Sequence, residues 1–114
     1  MIVTTTPFVP DHRVTEAKGQ VFGLVVRSRG LVGNLSAAFR SLAGGEITEY
    51  TELLEDTRRQ ALDRMVANAT LMGANAVMSM RFDSSELNNS MSEIVAYGTA
   101  VVIEPDAGAG QAID

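Results

Sequence analysis

The chain has 114 residues, 46% of them hydrophobic, with nine Lys and Arg against fourteen Asp and Glu and a formal net charge of -5. This is one domain's worth of chain with a modest core, and its acidity argues against broad affinity for nucleic acid or an anionic membrane, which both require clustered cations. There is no cysteine, which excludes disulfides, zinc knuckles, iron–sulfur clusters and thiol catalysis together and fits a cytoplasmic protein.

The opening "MIVTTT" is β-prone and ends at Pro7. It has neither a cationic n-region nor a long apolar segment, so no signal peptide is expected. "PFVPDH" reads as a loop through its two prolines and Asp11. Arg13 to Ser28 reads as extended, with Phe22, Leu24 and Val26 on one face and Val21 and Val25 on the other. Gly19 or Gly23 marks a bend or bulge in it. After the turn "RSRGLVGN", Asn34 can cap a short helix that carries Leu35, Phe39 and Leu42 on one face. Gly44 and Gly45 stop it.

The clearest element is a helix from Glu46 to Met72. Glu46, Glu49 and Glu52 place negative charge at the positive end of its dipole. Leu54, Ala61, Met65 and Met72 form an apolar stripe, with Leu53, Leu62 and Ala69 at its margins. Glu55 and Arg59 are an i,i+4 pair on the solvent side. Gly73 can end the helix in a left-handed conformation.

Two strands follow. Ala76, Met78, Met80 and Phe82 are expected to face the helix, and Val77, Ser79, Arg81 and Asp83 to face away. "SSELNNS" reads as a polar hairpin loop. The last strand runs from about Met91 to Ile103, with Ile94, Ala96, Gly98, Ala100 and Val102 on one face. Glu93, Val95, Tyr97, Thr99, Val101 and Ile103 share the other. The small residues Ala96, Gly98 and Ala100 suit close approach of the helix. The tail, residues 105–114, is expected to be disordered.

The pattern predicts an α+β domain over residues 1–104, an antiparallel sheet with one long helix packed on one face. A helix of about 40 Å at 1.5 Å per residue spans a strand of similar length and covers one face from end to end. Nothing comparable remains for the other face. Val95, Tyr97, Val101 and Ile103 would then form a larger bare apolar patch than monomers usually tolerate. A second copy of the chain is expected to cover it. The alternative is that the short helix and N-terminal loop fold over that face.

"TTTP" near the start, "GGE" before the long helix, "GANAVMSMRFD" after it and "EIVAYGTAVV" near the end together resemble the YbjQ-like family, which carries a heavy-metal-binding label. The resemblance spans about residues 1–104. It implies a β-α-β-β core, a dodecin-like fold and assembly into a ring-shaped pentamer. It names no established activity.

Soft metals prefer thiolate, imidazole or thioether ligands, and this chain has no Cys and one His. His12, beside Asp11, reads as a surface-loop residue. Met78 and Met80 could offer two thioethers on one strand face, but they read first as core fillers. Asp83, Glu86 and Glu93 gather near the last hairpin without the spacing of a calcium loop. Gly44 and Gly45 precede a helix N-terminus but lack the phosphate-loop pattern and its Lys. No Ser-His-Asp set stands out.

Arg81, Asp83, Glu93 and Tyr97 form the most informative polar set, because all four lie on the face assigned to a neighbouring subunit. They could make an ion pair that sets register, or line a pocket between subunits. The sequence therefore predicts a non-enzymatic oligomeric scaffold or small-ligand-binding protein that needs no cofactor. A metal-binding protein is the alternative, and an enzyme with an intersubunit site is the least supported reading.

Overall fold

In the computed structural model, which describes residues 1–28, 48–88 and 91–106, the elements in chain order are β1 (Ile2–Val3), β2 (His12–Ser28), α1 (Thr48–Leu71), β3 (Ala76–Asn88) and β4 (Met91–Pro105). The strands form one sheet in the order β1-β3-β4-β2. β4 is antiparallel to both neighbours, whereas β1 runs parallel to β3. The sheet is therefore mixed, which corrects the wholly antiparallel expectation at one edge. Beyond β1 the threonine segment follows β3 without being a strand. The Thr4 N–H donates to the Val77 carbonyl at 2.9 Å, and the Ser79 and Met80 N–H groups donate to the Thr6 and Thr4 carbonyls at 2.9 Å each.

α1 forms because its apolar residues recur at helical spacing. Ala61, Met65 and Ala69 lie on one stripe and are fully buried. Leu54, expected on that stripe, is exposed, and Thr57 is buried instead, its hydroxyl donating to the Leu53 carbonyl at 2.8 Å. The helix ends as expected at Gly73, whose φ is 86°. The Ala74 N–H donates to the Ala69 carbonyl and the Gly73 N–H to the Thr70 carbonyl, both at 3.0 Å. This is the paired closure of a Schellman motif. Asn75 then joins helix to sheet. Its side-chain amide donates to the Ile103 carbonyl at 3.0 Å and its Oδ1 accepts the Ile103 N–H at 2.8 Å, so the side chain pairs with β4 as a backbone would.

The helix meets the sheet closest at Gly23. A Cβ there would collide with the Ala61 carbonyl and the Met65 N–H of α1. Val21, Gly23 and Val25 therefore face the helix, and Phe22, Leu24 and Val26 face away. The bulge in β2 falls at Gly19, with φ 111° and a register skip between Ala17 and Gly19.

β3 departs from simple alternation. Its pairing with β4 skips between Met78 and Arg81, and Ser79 has a φ of 54°, so an extra residue is inserted there as a β-bulge. Val77, before the bulge, and Met80, after it, both join the helix-side core, while Ala76 and Met78 pack with Val9, Val101 and Ile103 on the far side. The expectation that Ala76, Met78, Met80 and Phe82 share one face fails for this reason. Gly98 serves the bulge rather than the helix, because a Cβ there would lie 2.7 Å from Val77 Cγ1 and 2.9 Å from the Met78 carbonyl.

Two further boundaries move. β3 continues through Ser84, Ser85 and Glu86, which pair with Ile94, Glu93 and Ser92. Ladder pairing prevails here over the weak strand propensity of a polar run. Pro105 ends β4, and the Asp106 N–H donates to the Asp11 carbonyl at 2.7 Å, so the first two residues of the expected disordered tail are tied down. The predicted short helix with its Asn34 cap, Gly44, Gly45, Glu46 and residues 107–114 lie outside the described residues. Among the described residues no helix is long and apolar enough to cross a membrane.

Gly23→Ala should push α1 off β2, because the collision is with backbone that cannot rotate away. The expected loss is about 2–3 kcal/mol, read as a lower midpoint in urea unfolding. An unchanged midpoint would contradict the close approach.

Candidate functional site

α1 covers one face of the sheet. The opposite face is divided in two. At one end the N-terminal loop folds over it, and Val9 packs with Ala76, Val101 and Ile103. Val101 is 1% and Ile103 6% exposed. The expectation that they lie bare is corrected, because Pro7 and Pro10 turn the loop back across them.

Among the described residues nothing folds over the other end. Strand register places Phe22 beside Tyr97 and Tyr97 beside Arg81. The next row is Leu24, Val95 and Asp83, and the one after it Val26, Glu93 and Ser85. Three strands thus present three adjoining rows, apolar on β2 and polar on β3. Phe22 is 53%, Val26 46% and Tyr97 37% exposed.

The four residues singled out in the sequence do share this face, but their contacts differ. Arg81 Nη1 donates to the Thr5 carbonyl at 2.9 Å and the Met80 carbonyl at 2.8 Å. Its head clamps the N-terminal segment to β3. Asp83 Oδ1 accepts the Ser84 N–H at 2.9 Å. Glu93 Oε1 accepts the Ser85 hydroxyl at 3.0 Å. Tyr97 stands between Arg81 and Phe22 in register. The set is a row of hydrogen-bonding groups along an apolar strip, with no nucleophile–base contact among them.

The metal candidates are taken apart by the fold. The bulge at Ser79 sends Met78 and Met80 to opposite sides of the sheet, so they cannot offer a thioether pair on one face. His12 opens β2, with Nδ1 2.8 Å from the Pro10 carbonyl. Beyond the bulge, Glu86 falls on the helix side by alternation from Phe82, and Asp83 and Glu93 fall on the other. Among the described residues no group of three His, Asp or Glu side chains could hold a metal ion.

Two features escaped the sequence reading. Arg64 Nη1 donates to the Leu24 carbonyl at 2.6 Å and Asn68 Nδ2 to the Phe22 carbonyl at 2.8 Å. These residues, at i and i+4 on α1, cap the outer edge of β2. Their spacing on a polar helix face was the available signal. The second feature is the β2 strip of Phe22, Leu24 and Val26. Its alternation was readable, but its side of the sheet was not.

A family model described as "Putative heavy-metal-binding" matches residues 1–104. The chain belongs to this YbjQ family. A UPF0145 protein of Bradyrhizobium sp. (strain ORS 278) is 63% identical over 105 residues, covering 92% of this chain and 95% of its own length. A UPF0145 protein of Methanoregula boonei is 54% identical over 113 residues, covering 99% and 94%. One from Sulfurisphaera tokodaii is 56% identical over 103 residues, covering 90% of each chain. The names of these relatives state no activity, and the family's description speaks of metal rather than of a reaction. A crystal structure of a protein of unknown function from Pediococcus pentosaceus matches with a TM-score of 0.58 at 17% identity, over 91% of this chain and 98% of that one. That likeness supports the fold alone, one helix on a four-stranded mixed sheet.

Arg81→Ala should free the threonine segment from β3. Each lost hydrogen bond is worth about 1 kcal/mol. The expected readout is faster amide hydrogen exchange at Ser79 and Met80, whose N–H groups donate to that segment, with protection in the centre of β4 retained. Unaltered exchange at both amides would show that the clamp contributes nothing.

Proposed function

We propose that the protein is a non-enzymatic, cytoplasmic, homo-oligomeric scaffold that binds a small ligand, its subunits joined through the part of the sheet that neither α1 nor the N-terminal loop covers. The supporting observation is the continuous strip of Phe22, Leu24, Val26, Val95 and Tyr97 on adjacent strands. Large side chains side by side on a flat sheet are costly to hydrate, and a second copy of the chain offers an apolar surface of matching kind. Arg81 and Asp83 on β3 and Glu93 on β4 border the strip, and the hydroxyl-bearing Tyr97 lies within it beside Arg81. At a subunit contact they supply the polar rim that fixes register, or line a pocket between subunits.

The family resemblance supports a ring-shaped pentamer of dodecin-like form as the assembly. Nucleic acid and membranes are not partners in this reading, because the net charge is -5 and the strip is narrow and bordered by carboxylates.

Metal binding, as the family's description has it, is the second reading. It requires ligands pooled from several subunits, since the chain has one His and no Cys. Elemental analysis of the purified protein after a titration with zinc and copper tests it. Saturable binding of one ion per subunit, or one per ring, would establish it over the metal-free scaffold.

Size-exclusion chromatography with light scattering should give a mass several times that of the chain, five times for the pentamer. Phe22→Glu combined with Leu24→Glu should reduce it to that of a monomer with unchanged circular dichroism. A wild-type monomer at micromolar concentration would sink the assembly.

A further inference from the structure

A separate cleft lies on the other side of the sheet, between the N-terminal half of α1 and the far end of the β3–β4 hairpin. Its volume is about 830 Å³, within the range of small-molecule sites. Leu54 of α1, Phe82 of β3 and Ile94 of β4 give it an apolar lining. Ser84 and Ser92 add hydroxyls, and Arg27 and Arg58 add cations.

Arg27 is the unusual member. It extends the helix-facing series Val21, Gly23, Val25 on β2 and so points into the space beside α1. Its side chain is 31% exposed, and one guanidinium nitrogen lies 3.7 Å from Asp56. Its Nε is buried and has no hydrogen-bond partner, the only such side-chain atom among the described residues. A buried donor left unpaired is costly, and the guanidinium that carries it lines the cleft, where an entering acceptor meets it. Arg58 lies with its Cζ 5.3 Å from the centroid of the Phe82 ring, which holds a second guanidinium at the same apolar wall.

Carboxylates also border the cleft, and their placement decides the sign of the ligand. Glu55 and Glu86 are exposed, and Asp83 and Glu93 reach the rim from the opposite face of the sheet. Water and salt screen the exposed ones, and the half-buried Glu93 already accepts the Ser85 hydroxyl. What the cleft holds away from water and unpaired is a donor, not an acceptor. A cation would have to sit against Arg27 and could not satisfy Nε.

We infer that this cleft binds an organic oxyanion, a carboxylate or a phosphate monoester carried on a flat apolar body, with the anion on Arg27 and the body against Phe82, Leu54 and Ile94. This names the ligand class for the ligand-binding part of the function proposed above and does not depend on the subunit contact.

The test is titration of the full ¹⁵N-labelled chain with 2-naphthoate, 2-naphthyl phosphate and the neutral 2-naphthamide, followed by NMR. Saturable shifts of the Arg27, Phe82 and Ile94 amides with either anion are expected. The amide should bind about tenfold or more weakly, the effect of losing one charge-assisted hydrogen bond. The stronger of the two anions tells carboxylate from phosphate ester. Arg27→Gln should weaken the anion by a similar factor and leave the amide's affinity unchanged. The wild-type comparison of acid with amide stands even if that variant fails to fold. Equal binding of amide and anion would overturn the oxyanion class while leaving a ligand-binding cleft. Absence of saturable shifts with all three probes would remove the cleft as a site. Light scattering on the same samples reports separately on the assembly.

Discussion

Backbone meets backbone where α1 crosses β2 at Gly23, and the rest of the architecture follows from that contact. Only a residue without a Cβ lets the Ala61 carbonyl and Met65 N–H come so near the strand. The alanines at 61 and 69 complete a narrow helix face that lies flat on the sheet. This approach brings Arg64 and Asn68 within hydrogen-bonding reach of the outer edge of β2. Their bonds occupy carbonyls that an edge strand would otherwise offer to any passing chain. The same contact fixes which side of β2 is inside. With Val21 and Val25 turned to the helix, Phe22, Leu24 and Val26 have to face the other way.

A second constraint acts on β3. Val77 points toward α1, so strict alternation would have placed Ser79, Arg81 and Asp83 on the helix side as well. The extra residue at Ser79 reverses the phase. Met80 and Phe82 enter the helix-side core, and Arg81 and Asp83 emerge on the open face. The change separates the two methionines of "MSM" and puts the guanidinium of Arg81 beside the threonine segment it holds. The bulge in turn requires Gly98 on β4. One irregularity thus accounts for a buried glycine, the loss of a metal candidate and the position of the polar row.

Much of this was legible from residue order. The helix and its glycine end, the long β2 and the two faces of β4 follow from periodicity that burial enforces. Arg81, Asp83, Glu93 and Tyr97 were placed together correctly on the face away from the helix, although for Arg81 and Asp83 the reasoning passed over the bulge. The bulge itself was hidden, because serine is a rare residue at positive φ and nothing else in "AVMSMRF" marks an insertion. The burial of Val101 and Ile103 under the N-terminal loop was the alternative reading, not the preferred one, since it depends on the path of a proline-containing loop and not on β4. Arg27 gave no signal, because it sits where the extended reading runs into a turn and its environment is made by three elements distant in sequence.

The amino-acid order by itself determined an acidic, cysteine-free α+β domain, a single long helix with one apolar stripe, and strands whose two faces both carry apolar residues. Those properties are local, set by composition and by spacing along one element. Tertiary structure alone decided which face each strand shows to the helix, where the N-terminal loop lies, which apolar residues remain exposed and which guanidinium keeps a buried Nε without a hydrogen-bond partner. Each of these depends on register and close approach between segments far apart in the chain, and a shift of one residue at Ser79 was enough to exchange the two sides of a strand.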